Sequence, residues 1–100
     1  MIEIDILPGA QRDIRKARRW YNKQRPGLGN EFVDEVETKL QAICKAPFIH
    51  AVFAHDARRA TLKRFPYSIL YYITTDLLQV VAVGHDKQDW RNILAKRLDV

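Results

Sequence analysis

The chain is poor in the residues that support several kinds of chemistry. It has one cysteine, Cys44, so no disulfide can close within it, and a reducing cytoplasm is the expected setting. Its four glycines, at 9, 27, 29 and 84, are scattered, which leaves no glycine-rich loop to cradle a nucleotide phosphate. No apolar run approaches the ~20 residues of a membrane span, so no membrane partner is expected. The opening MIEIDILPGA lacks the basic start and long apolar centre of a signal peptide. The histidines are His50, His55 and His85. The first two are five apart, but in a stretch without helical or strand period and without a C-x-x-C pair nearby. No metal and no cofactor are expected.

What is present describes one globular domain over residues 1–100. Apolar residues make up 47% and charged residues 29%, a balance that supports a core rather than disorder. A chain of this length buries roughly 60–65% of its unfolded surface, enough for a core without staples. The net charge of +5 is unevenly spread. Residues 8–25 hold seven cations against one Asp, residues 55–67 four cations against one Asp, and residues 30–45 four acids against two Lys. Such a basic surface suits nucleic acid or an acidic protein partner, and a cationic helix face also serves plain solubility.

Period assigns the elements. Ile2, Ile4 and Ile6 alternate with Glu3 and Asp5, a half-buried strand that Pro8 ends. Ala10, Ile14, Ala17 and Tyr21 share a face of a helix over 10–24, with Trp20 flanking that face in position to reach the next helix. Arg25 to Gly29 breaks it. Asn30 is a suitable N-cap for a second helix, in which Phe32, Val36, Leu40 and Ile43 repeat until Pro47 forces a stop near Lys45. Residues 47–57 show no period and read as a loop. Three strands follow at 59–64, about 67–74 and about 78–84, the last an almost unbroken apolar run expected in mid-sheet. A last helix carries Trp90, Ile93, Leu94 and Leu98 on one face, with Asp86 and Asp89 as capping candidates. The expected fold is α+β in the order β-α-α-β-β-β-α. It is a four-stranded, mainly antiparallel sheet with a helical hairpin packed on one face and a C-terminal helix.

Candidate chemistry gathers on the sheet's rim. Arg58, Arg59, Lys63, Arg64, His85, Trp90 and Arg91 supply cations, an imidazole and an aromatic ring, and are the residues expected to bind a target or a protein partner. Cleaving RNA requires a base for the 2′-hydroxyl, an acid for the leaving oxygen and cations for the developing charge. If the chain is a ribonuclease, His85 and Arg58 are the catalytic candidates. The competing explanations are edge cations that block strand association and a histidine bonded to backbone at a strand end. Cys44, on the buried side of the second helix, reads as a small core residue. Ser68 lies on a strand where it could face outward, but without the G-x-S-x-G elbow of a nucleophile.

The stretch RRATLKRFPYSILYYI, followed by VVAVGHDKQDWRN, resembles toxins of the RelE/ParE superfamily of type II toxin–antitoxin systems, on the ParE-like branch. Ala10, Asp13, Ile14 and Tyr21, then Phe32, Val36 and Pro47, add to the likeness, which covers essentially the whole chain. The resemblance implies a toxin that arrests growth and stabilises plasmids, neutralised by a cognate antitoxin with an acidic C-terminal tail in a hetero-oligomer. RelE-like members are ribosome-dependent mRNA endonucleases with two strand arginines and a tyrosine on the last helix. Here Ser68, Asp86 and roughly Asn92 stand at those places. The resemblance therefore implies the ParE-like activity, binding and poisoning of DNA gyrase with no catalytic residue. Cleavage of mRNA on the ribosome is the alternative, and a non-toxic binding domain with this fold a second one.

Overall fold

A computed structural model describes residues 2–98. The elements are β1 (Glu3–Ile6), α1 (Pro8–Gln24), α2 (Leu28–Lys45), β2 (Val52–Ala54), β3 (Ala57–Thr61), β4 (Tyr67–Ile73), β5 (Leu77–His85) and α3 (Trp90–Arg97). The strands form one sheet in the order β1-β5-β4-β3-β2, antiparallel except that β1 runs parallel to β5. The expected class and helical hairpin are present, and the expected elements follow in sequence with one strand added.

The sheet has five strands rather than four. The extra one, β2, lies inside the stretch read as a loop. Three residues are too few to show a period, and the turn joining β2 to β3 lacks its usual signal. His55 and Asp56 both take positive φ, 50° and 65°, the geometry of a two-residue hairpin that normally advertises itself as Asn-Gly. The hydroxyl of Tyr72 donates to the His55 carbonyl at 2.6 Å and helps to hold that turn.

Two boundaries also move, each for a local reason. The second helix begins at Leu28, capped by Gly27 at φ 91°, not by Asn30. Asn30 sits within the helix, where its side-chain oxygen accepts from Arg18 at 2.9 Å. The hairpin closes tightly at Gly29. A Cβ there would lie 2.1 Å from the Arg18 carbonyl oxygen, and the amide instead donates to Asn22 at 2.7 Å. The first of the three later strands spans 57–61 rather than 59–64. The amides of Lys63 and Arg64 leave the ladder because the carboxylate of Glu35 on α2 accepts both, at 2.5 and 3.2 Å.

The sheet buries both faces. Against one lies the α1–α2 hairpin, with Ala10, Ala17, Phe32, Val36, Leu40 and Ile43 packed on Ala60, Ile69, Tyr71, Val80 and Val83. An aromatic cluster seals its end. Tyr21, Phe32, Phe65 and Tyr67 meet with ring centres 4.8–5.8 Å apart. Truncating the fully buried Phe32 to Ala would cost about 3–5 kcal/mol. Against the other face lies α3, whose Trp90 and Leu94 cover Ala57, Leu70, Val81 and Ala82. Asp89 caps α3 by accepting the amide of Asn92, as expected of it, whereas Asp86 is engaged elsewhere.

Between the two faces, β5 contains a bulge. Leu70 pairs with Ala82 and Tyr71 with Val80, so Val81 is an extra residue. Val81 and Ala82 therefore both face α3, while Val80 and Val83 both face the hairpin. If Val81 were instead paired like its neighbours, strict alternation would turn Val83 and His85 onto the α3 side. Beyond Val80, whose carbonyl accepts from Leu7, β1 has ended and β5 needs other partners. Asp13 on α1 accepts the Val83 amide at 3.0 Å, and Arg97 on α3 donates to the Val81 carbonyl at 3.2 Å.

Candidate functional site

Because successive residues of a strand face opposite ways, β3 sends its two arginines to different sides of the sheet. Arg58 lies opposite Tyr71 and Arg59 opposite Leu70, and those partners belong to the hairpin and α3 faces respectively. The seven rim residues consequently fall into separate groups.

The α3 face brings three of them together. The guanidinium of Arg59 lies between two aromatic rings, 5.5 Å from the centre of Phe53 and 6.0 Å from that of Trp90. Arg91, at the start of α3, places its guanidinium 5.0 Å from the same Phe53 ring. Below them Arg59 donates to Ser68 Oγ at 3.1 Å and to Asp86 at 3.3 Å, and Ser68 donates to Asp86. Ser68 is 0% exposed, so it faces inward and serves as a bridge rather than an outward nucleophile. The Arg59 side chain keeps 27% of its surface exposed, enough for its outer edge to meet a partner. Contact with two rings holds the guanidinium in place, each cation–ring contact contributing about 0.5–2 kcal/mol. Trp90 is itself buried, and its indole N–H finds no acceptor among the described residues.

The other predicted residues do different things. Arg58 donates to the carbonyl of His50 at 2.6 Å and covers the Phe48 ring at 5.2 Å, which clips the segment before β2 to the sheet. His50 is pushed below the ordinary histidine range by burial and then by the charge of Lys39. Arg64 pairs with Glu31 on α2 at 2.8 Å, and Arg25 joins the same carboxylate at 3.0 Å. Those two cations hold the Glu31 carboxyl below its usual range, chiefly through their hydrogen bonds. The pairs are exposed and contribute little to stability. Lys63 lies exposed beside Arg64.

His85 faces the hairpin, edge-on to Tyr67 with ring centres 5.6 Å apart. Its Nδ1 accepts the Lys87 amide at 3.1 Å. In the neutral ring that assigns the proton to Nε2, which then donates and cannot accept. The Nδ1 lone pair is thereby engaged by backbone, as expected of a histidine at a strand end. Arg58, the other catalytic candidate, points to a different part of the sheet and holds backbone carbonyls. Among the described residues no three His, Cys, Asp or Glu side chains converge as a metal site would require, and no helix is long and apolar enough to cross a membrane.

Phe53 was not expected at the site, since the loop reading of 47–57 gave it no neighbours. The available signal was weak, an aromatic residue inside VFA, four positions before a short Ala-Arg-Arg strand. Trp20, expected to reach the next helix, instead stands 55% exposed with its edge contact to Tyr21 at 5.0 Å.

Known proteins share this architecture. The sequence model of the family described as ParE toxin of type II toxin–antitoxin system, parDE, matches residues 4–90. The chromosomal ParDE toxin–antitoxin system of P. aeruginosa superposes with a TM-score of 0.74 at 15% identity, over 85% of this chain and 96% of that one. The intact E. coli RelBE toxin–antitoxin complex gives 0.65 at 19% identity, over 88% and 100%. A mutant of E. coli toxin RelE in the free state gives 0.70 at 17% identity, over 98% and 95%. No curated protein is similar enough to count as a relative.

Proposed function

We propose that this chain, which belongs to the ParE toxin family of type II toxin–antitoxin systems, arrests growth by binding DNA gyrase and poisoning its turnover, and that a cognate antitoxin neutralises it. The observation that carries the reading is the state of Arg59. Its charge is committed to Asp86 and Ser68, and its guanidinium lies over the rings of Phe53 and Trp90. A cation already paired with a carboxylate is poorly placed to stabilise a developing phosphate charge. With its outer edge exposed beside Arg91, the same cation makes a rigid anchor for a protein surface, where arginine and aromatic groups carry most binding energy. His85, with Nδ1 occupied, adds no base that would favour cleavage. Binding through such a face needs no cofactor.

Plasmid supercoiling by purified gyrase, with and without this protein, tests the proposal. The expected result is lost supercoiling, with linear DNA trapped after the gyrase is denatured. An unaffected gyrase, together with cuts in a ribosome-bound mRNA, would overturn it in favour of an endonuclease. A neutralising antitoxin is expected to carry an acidic tail that complements the net charge of +5.

A further inference from the structure

The outer face of α1 is used by nothing described so far. Arg12, Lys16, Arg19 and Lys23 recur at steps of four, three and four, which aligns them along one side of the helix for about 17 Å. Among the described residues none of the four forms an ion pair. The one acid on α1, Asp13, is held by Arg97 and the Val83 amide, so it does not neutralise them. Beneath this rail runs an open groove of about 600 Å³, lined among others by Lys16, Trp20, Lys23, Tyr67, His85 and Gln88. The bulge in β5 is what turns His85 into it. Trp20 presents more than half its surface beside the rail, steadied by the edge contact to Tyr21.

We propose that this groove binds a single DNA strand, with the cationic rail on its phosphates, Trp20 stacked on a base and Tyr67, His85 and Gln88 facing a base edge. The chemistry favours a strand over an acidic helix. A docked helix needs apolar anchors on successive turns, and Trp20 is the only large exposed hydrophobic residue on α1. One flat aromatic ring among unpaired cations is instead the arrangement that takes a stacked base and its phosphates. The rail has room for about three phosphates. The choice of DNA over RNA rests on the gyrase reading, since gyrase acts on DNA.

The test needs no gyrase. Trp20 is exposed and Trp90 buried, so tryptophan emission of the whole protein reports on the groove when a thymidine oligonucleotide is added. Quenching is expected, with log K falling against log salt at a slope of about −2, roughly −0.7 per phosphate neutralised. Lys16→Ala and Lys23→Ala should each flatten that slope by about 0.7. Trp20→Ala, an exposed substitution, should weaken binding at least about fivefold when followed by anisotropy of a labelled oligonucleotide. No binding at low salt, equal binding by the Trp20→Ala variant, or tighter binding of RNA or polyglutamate than of DNA would overturn the inference. DNA binding without gyrase inhibition would sink the gyrase reading alone. Gyrase inhibition without DNA binding would sink this inference alone.

Discussion

Asp13 on α1 grips Arg97 on α3 with both carboxylate oxygens, across 84 positions of sequence. The same carboxylate accepts the Val83 amide while Arg97 reaches the Val81 carbonyl, so one ion pair completes the backbone bonding of β5 past the end of β1. Asp13→Ala removes three hydrogen bonds, leaving Arg97 without its counter-ion and the Val83 amide without its acceptor. With the two side chains 20–29% exposed, water offsets part of the loss, and about 2 kcal/mol of destabilisation is expected. A lowered urea midpoint checks this. A midpoint equal to that of the parent chain would mean that the pair contributes nothing.

The two adjacent arginines of β3 should behave differently. Arg59→Ala removes the exposed edge of the α3 face, and the proposed gyrase inhibition should weaken roughly tenfold or more. Arg58→Ala frees the segment held through the His50 carbonyl, with about 1 kcal/mol lost from stability and inhibition retained. Dose–response curves for supercoiling, read beside thermal melts, separate the two. The reverse pattern would place the binding face on the hairpin side.

Gly29→Ala should destabilise the helical hairpin by about 3 kcal/mol. The added carbon would press on the Arg18 backbone oxygen, which cannot swing aside as a flexible side chain would. Chemical denaturation measures the change, and Gly27, where a Cβ would meet nothing but φ is positive, provides the comparison.

Alkaline pH should unfold the chain as its tyrosines ionise. Tyr21, Tyr67, Tyr71 and Tyr72 are all raised above the ordinary value of 10.0, in each case chiefly by burial. The unfolded chain gives up these protons first, so their contribution is complete below pH 10 and is lost as pH rises through the folded values. Phenolate absorbance that climbs together with loss of helical circular dichroism would show the coupling. Full ionisation near pH 10 with the fold intact would refute it.

Much of the architecture was legible in the sequence because periods of four and three, or of two, ran over several turns or a full strand. The aromatic residues Tyr21 and Phe32 announced a core for that reason. The site was legible only in part. Composition pointed to Arg59, Trp90 and Arg91, but grouped them with Arg58, which the pleat sends to the other face. Phe53 escaped because β2 is three residues long and its turn uses His-Asp. The roles of Ser68 and Asp86 depend on a contact between neighbouring strand ends 18 positions apart, which no local pattern encodes.

The extra residue at Val81 has a consequence for how this chain tolerates changes of length. Deleting it would make the neighbours of Leu70 and Tyr71 consecutive, regularising the ladder while every side chain before and after it kept its present orientation. The deletion would also erase the carbonyl that Arg97 holds. Loss of one residue here would therefore loosen the last helix and spare the sheet, making the fastening of α3 separable from the integrity of the scaffold beneath it.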